Sequence, residues 1–177
     1  RVNEFTPTAL QRTGFRYDSS VAPQRIDMFM SLGSKKKIAW LKAPRVPYQV
    51  KETNLAGRGE FPVIEVPISS FGFPYIGTFM RISPFLSRLN RQLLYWETRN
   101  TSKLINFLIH PNEVITEENL YLKTEKRAGN YVAYLLSDVL RRKLKQRNLG
   151  ERCVKLYEKD IQFWQQKNYK FLRVKDI

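Results

Sequence analysis

The feature that most constrains the fold is an alternation of element types in the middle of the chain. "FPVIEVPIS" alternates and is rich in valine and isoleucine, so Val63 to Ile68 reads as a strand with Pro67 at its end or edge. In "SPFLSRLNRQLLYW", Ser83 can cap a helix and Pro84 suits its first turn. Phe85, Leu86, Leu89, Leu93 and Trp96 then recur at helical spacing as a stripe. Leu104 to Ile109 follows as a second buried strand. Strands separated by helices argue for an α/β domain with parallel strands, whose ligand sites lie at the carboxyl ends of those strands. His110, the single histidine of the chain, stands at such an end.

The flanking sequence is read from its punctuation. In "FTPTALQRTG", Thr6 is the candidate cap, Pro7 takes the first helical position and Gly14 terminates a short helix. "FRYDSS" reads as a strand running into a loop. Residues 31 to 60 are the least regular part, with Lys35 to Lys37, Pro44, Pro47 and "LAGRGE", and are expected to be an exposed excursion. From 117 onward the character is helical. Tyr131, Leu135, Val139 and Leu140 share one face, Gly150 ends that helix after the cationic run "RRKLKQRN", and Val154, Tyr157, Ile161 and Trp164 mark a second amphipathic helix.

Composition sets the outer limits. A chain of 177 residues that is 42% hydrophobic and 13% aromatic suits one folded domain with an ample core. Its net charge of +15 favours encounter with an acidic partner, whether nucleic acid, anionic lipid or anionic glycan. One cysteine, Cys153, excludes an intramolecular disulfide and a multi-cysteine zinc site, and its helical setting reads as a small core residue. No stretch approaches the roughly 18 to 20 consecutive apolar residues that span a bilayer. The expected location is the cytoplasm or the membrane periphery. The chain starts "RVNEFTPTAL" directly in patterned sequence without a methionine, which is the expectation for a cut inside a larger domain.

Each candidate residue has a structural reading beside a functional one. His110 alone fits a satisfied strand end as well as a reactive group. Asp18, Ser19 and Ser20 read as turn formers, since Asp and Ser bond their own backbone and no histidine is near to activate a serine. Gly77 in "GTFMR" marks either a tight turn or a close backbone approach to substrate. The basic clusters at Lys35 to Lys37 and Arg141 to Arg147 could meet phosphates, but the aromatics lie in stripes and do not interleave with them. They read as a solvated basic face with weak association to anionic surfaces and no specific nucleic acid.

Three segments, in order, resemble polysaccharide deacetylases of the NodB-homology type. "ALQRTGFRYDSSVAP" resembles the helix that ends in glycine and leads to a strand. "FPVIEVPIS" with "PYIGTFMRISPF" resembles the next strand and its glycine-containing loop, and "FLIHPNE" resembles the last motif, a hydrophobic strand ending in His-Pro. The resemblance covers Arg1 to about Glu113. It implies a distorted (β/α) barrel, partial here, over residues 1 to 116, with residues 117 to 177 as a helical carboxyl-terminal extension.

The resemblance also implies a reaction, hydrolysis of the N-acyl bond of an N-acetylated polysaccharide or lipid-linked sugar. Family members use a divalent metal, usually zinc, held by one aspartate and two histidines. With one histidine, this chain is not expected to build that site, so no cofactor is expected in it and the metal is expected in the full-length protein. His110 matches the family's carboxyl-terminal histidine, the general acid that also supports the developing oxyanion; imidazole is suited to this because it changes charge near neutrality. Arg1 matches the arginine that orients the base aspartate, although the chain reads "RVNEF" where the family has Arg-x-Pro. The alternative from another class is a noncatalytic basic module binding anionic glycan, lipid or nucleic acid. The sugar, the acyl group and the oligomeric state are not indicated.

Overall fold

The structure, a computed structural model, describes residues 3–24, 40–115, 143, 144 and 146–177. It is a mixed α/β protein in which the described residues form four α-helices, a four-stranded mixed sheet and a two-stranded hairpin. The chain divides into two compact units. One comprises Arg1–Ile76, Ser87–Leu108 and Phe171–Ile177, the other Gly77–Leu86 and Ile109–Lys170.

In the first unit, helix α1 (Thr6–Arg12) has Phe5 at its cap position rather than Thr6, with Pro7 in the first turn. The Thr6 hydroxyl instead accepts from the Asn3 N–H at 2.9 Å and donates to Asn3 Oδ1, closing the turn before the helix. At the other end Gly14, at φ +80°, lets Gly14 N–H reach Gln11 O and Phe15 N–H reach Leu10 O. This double bond is the usual way a left-handed glycine satisfies the last carbonyls of a helix.

Strand β1 (Tyr17–Asp18) follows, and pairs in parallel with β4 (Ile64–Glu65). The ladder extends beyond the strands: Ile64 N–H bonds Arg16 O, Val66 N–H bonds Asp18 O and Ile68 N–H bonds Val21 O, all at 2.8 to 2.9 Å. Pro67, which has no N–H, falls at a position where this ladder needs none. On its other side β4 pairs antiparallel with β2 (Tyr48–Lys51), and β2 with β3 (Asn54–Arg58), giving the order β1-β4-β2-β3.

Residues 40 to 60 therefore correct the expectation of an exposed excursion, while 31 to 39 lie outside the described residues. The alternation Tyr48, Val50 inward and Gln49, Lys51 outward is a half-buried strand. Ala43, Tyr48, Val50, Leu55 and Ala56 join Val21 and Val63 in the core, closed by Leu10, Trp40 and Phe61. Of the prolines and glycines that suggested irregularity, Pro44, Pro47 and Gly59 lie outside the strands and Gly57 lies within β3.

Two further expectations change. Strand β5 (Ser70–Phe71) and β6 (Phe73–Pro74) form a hairpin turning on Gly72 at φ +73°. Leu104 to Ile109 runs beside residues 69–76 but forms no regular strand. It is half-buried and makes one isolated parallel bridge, Leu108 to Ile76, with Ser69 N–H donating to Asn106 O at 2.9 Å. The hairpin inserted into its neighbour interrupts the ladder that would make it continuous.

The third helix, α3 (Pro84–Thr98), has the expected bounds but the opposite face inward. It buries Ser87, Asn90, Leu94 and Thr98, whereas Phe85, Leu86, Leu89 and Trp96 are exposed. Two of the buried polar groups find acceptors, Asn90 Nδ2 donating to Phe73 O at 3.0 Å and the Thr98 hydroxyl to Leu94 O at 2.7 Å, while Ser87 Oγ and Asn90 Oδ1 are enclosed without a partner among the described residues. Small polar side chains that are hydrogen-bonded carry little burial penalty and let the helix approach closely.

In the second unit α2 (Gly77–Ile82) packs against α4 (Glu151–Gln166). The latter buries Cys153, Asp160 and Trp164 and half-buries Val154, Tyr157 and Ile161, the face expected from its periodicity. Gly150 is the amino-terminal cap of this helix, at φ +62°. The face at Tyr131, Leu135, Val139 and Leu140 lies outside the described residues. Among the described residues, no helix is long and apolar enough to cross a membrane.

Candidate functional site

His110 is exposed, in extended conformation, and starts the single 3₁₀ turn Pro111–Glu113. Pro111 has its φ preset and lacks the N–H that a first turn would leave unpaired. Glu113 closes the turn reciprocally. Its N–H donates to His110 O at 2.9 Å, and its carboxylate Oε2 accepts from His110 N–H at 3.3 Å. The sequence "HPNE" is thus a locally bonded elbow with the imidazole on the outside and the carboxylate beneath.

That carboxylate is held from several sides. Glu113 Oε1 accepts from Arg81 Nη2 at 3.0 Å and from the Thr78 hydroxyl, and both ion-pair side chains are almost wholly buried. Arg81 Nη1 donates to Arg147 O at 2.9 Å, and Arg81 O accepts from Asn148 Nδ2 at 2.7 Å. The Glu113 carbonyl accepts from Gly150 N–H at 3.1 Å. Gly77 makes the arrangement possible, since a Cβ there would lie 2.2 Å from Glu113 Oε2 and 3.0 Å from Ile109 Cγ1. Gly77 starts helix α2, and the group its backbone approaches closely is Glu113 of the same chain.

Cys153 lies in the same unit, fully buried. Burial first, and the Glu113 carboxylate second, push its thiol up. A thiol held protonated in this way is a poor nucleophile.

The first unit contains a second acidic pair. Asp18 and Glu65 are register partners across the parallel β1 and β4, and Tyr48 is the partner of Glu65 on its other side. Glu65 is fully buried, its Oε1 accepting from Val21 N–H at 2.9 Å. Burial first, with the charge and hydrogen bond of Asp18 adding to it and the Val21 N–H opposing it, pushes its carboxyl up to about 9. Glu65 Oε2 and Asp18 Oδ2 are both enclosed without a donor from elsewhere. One proton on Glu65, donated to Asp18, satisfies both oxygens. Burial likewise raises the Tyr48 phenol, whose hydroxyl donates to Leu55 O.

In the Asp-Ser-Ser segment Asp18 ends strand β1, and the serines bond side chains rather than their own backbone. Ser20 Oγ donates to Asp18 Oδ1 at 3.1 Å, and Ser19 Oγ accepts from Asn106 Nδ2 at 2.8 Å. Asn106 Nδ2 also donates to Val66 O at 2.9 Å, so this side chain ties together the carboxyl ends of β1 and β4.

No protein-family model, curated protein or solved structure matches the chain. The reading of the site therefore rests on its geometry. Arg1 and Lys35 to Lys37 lie outside the described residues, and of Arg141 to Arg147 only Lys143, Leu144, Gln146 and Arg147 are described. Among the described residues no group of three His, Cys, Asp or Glu side chains could hold a metal ion.

The sequence singles out His110 as a candidate, but not Arg81, Thr78 and Glu113, which hold the elbow beneath it. The spacing of Glu113, three residues after the residue that starts the turn, is a reciprocal-cap signal that local sequence does carry. The Arg81 partnership has no such local signal. Glu65 was read only as an alternating strand residue, and its pairing with Asp18 depends on strand register.

Proposed function

We propose that this chain carries the acid-histidine side of a metal-dependent polysaccharide deacetylase, with residues 1 to 116 forming part of a distorted (β/α) barrel. The observation that carries the reading is the "HPNE" elbow, in which an exposed His110 is mounted on a carboxylate locked from beneath by Arg81 and Thr78. A group that must meet substrate needs a fixed backbone and a free side chain, and the elbow provides both. The parallel β1–β4 pair and the parallel bridge at Ile76 and Leu108 are compatible with the barrel.

In the proposed reaction a water oxygen bonds to the acyl carbon, the C–N bond of the acetamido sugar breaks, and His110 delivers a proton to the departing nitrogen. The products are a carboxylate and an amino sugar. The metal ligands that the resemblance implies are assigned to another part of the protein, and the substrate is an N-acetylated polysaccharide or lipid-linked sugar met at the membrane periphery or in the cytoplasm.

The test is turnover of an acetylated oligosaccharide by the full-length protein. His110→Ala should lower it about 10²- to 10⁴-fold, the range for loss of a general acid, with the melting temperature nearly unchanged because the side chain is exposed. His110→Asn keeps a donor and removes the titrating proton, and should be nearly as inactive. Unchanged turnover in both variants makes His110 structural, and absence of turnover in the unsubstituted full-length protein leaves a noncatalytic basic binding module as the reading.

A further inference from the structure

Helix α3 has one line of side chains packed inward, through Ser87, Asn90, Leu94 and Thr98. At 3.6 residues per turn, Leu89, Leu93 and Trp96 lie toward the other side. Trp96 is 56% and Leu89 47% exposed, and Leu93 is half-buried at the edge of the row. The row is therefore the outermost line of the helix, a convex apolar ridge and not a groove.

Its border is cationic. Arg88, Gln92 and Arg99 follow one another at helical spacing along one flank, and both arginines are exposed. Arg99 continues the spiral just past the last helical residue, since its N–H still reaches Tyr95 O at 2.9 Å. The one acidic residue of α3, Glu97, is committed to Arg45 Nη2 at 2.6 Å and Lys103 Nζ at 2.8 Å. The helix thus sets no unengaged carboxylate of its own beside the ridge.

We propose that this ridge docks the protein on an anionic lipid bilayer, with Trp96 and Leu89 inserted at headgroup depth and Arg88 and Arg99 at the lipid phosphates. Charge decides between occupants. At +15 the chain is drawn to an acidic surface and repels a second copy of itself. A nucleic acid would need successive aromatic platforms for its bases, whereas the neighbours of Trp96 on the ridge are leucines, which insert and do not stack. Tryptophan beside arginines is the pairing that interfacial helices favour, with the indole at headgroup level and the guanidinium stems along the apolar boundary. At 15 residues α3 is about 22 Å long, short of the roughly 30 Å hydrocarbon core, so it lies in the interface and does not span it. The assignment uses α3 alone and stands whether or not His110 is catalytic.

The experiment is binding of the 177-residue chain to vesicles of equimolar phosphatidylserine and phosphatidylcholine, read by sedimentation and by tryptophan emission. Binding with a blue shift of the emission is expected, and pure phosphatidylcholine should hold the chain about ten-fold less tightly or worse. Trp96→Ala and Leu89→Gln should each weaken binding about five-fold or more, with melting temperatures nearly unchanged because both side chains are exposed. Trp96→Phe should keep the binding and lose the shift, which assigns the inserted ring to Trp96 and not to Trp40 or Trp164. Binding that Trp96→Ala and Leu89→Gln leave unchanged, or a shift that survives in Trp96→Phe, would mean that the ridge does not insert and would overturn the proposal. A solution dimer that Trp96→Ala dissociates, or a single-stranded oligonucleotide held more tightly than the vesicles and released by the same change, would give the ridge another occupant and equally refute it.

Discussion

Arg81 and Glu113 form an ion pair in the interior of the second unit, Nη2 to Oε1 at 3.0 Å, with each side chain 4% exposed. Taking two charges out of water is costly, and the cost is met here because both groups have further partners in Thr78, His110 N–H and Arg147 O. Removal of one member strands the other. Arg81→Met and Glu113→Gln should each destabilise the chain by about 3–5 kcal/mol in denaturant unfolding, and the double variant by clearly less than the sum. Additive losses would show that the two groups are not coupled.

Gly77→Ala tests the close approach beneath the elbow. Its added Cβ meets a carboxylate oxygen at 2.2 Å, which forces a displacement, and overpacking of this kind costs about 1–3 kcal/mol. In a Glu113→Ala background the obstructing oxygen is gone. The same glycine substitution should then cost little, so thermal unfolding of the four proteins in the cycle isolates the contact.

Glu65 makes stability depend on pH in a stated direction. Its carboxyl is raised from the ordinary 4.5 to about 9, so the folded chain binds this proton more tightly than the unfolded chain. The contribution is fully present below pH 4.5 and is lost as the pH rises through the interval up to about 9, at ~1.4 kcal/mol per unit. By pH 7 the loss is on the order of 3 kcal/mol. Glu65→Gln cannot ionise and can donate to Asp18, so its stability should lack this decline. The variant should gain on the wild type steadily from pH 5 to pH 8 in urea midpoints, and a constant difference would refute the assignment.

The inverted face of α3 is checked by two truncations. Leu94 is 1% exposed and Trp96 is 56% exposed, only two residues apart on one helix. Leu94→Ala should cost about 2–5 kcal/mol, and Trp96→Ala, although it removes far more apolar surface, within about 0.5 kcal/mol. The reverse order in denaturant unfolding would return the helix to the orientation its periodicity suggests.

The start of α3, the buried face of α4, the short first helix, the strands at Tyr17 and Ile64 and the proline turn after His110 were legible because each depends on residues a few positions apart, whereas Gly150, read as the end of a preceding helix, is the cap of α4. Caps, a proline at a first turn, a glycine at a last turn and a periodic stripe act within one or two turns of backbone, and local sequence contains all of them. Whether Phe85 or Leu94 faces inward was not legible. Periodicity measures how much a face could bury, and the face that turned inward carries Asn90, whose amide donates to the distant Phe73 carbonyl. The same holds for the pairing of Glu113 with Arg81, separated by 32 positions, and of Glu65 with Asp18, set by strand register. A single residue type determines what a side chain can bond, but which distant group meets it, and whether water remains between them, is settled only when the chain is packed.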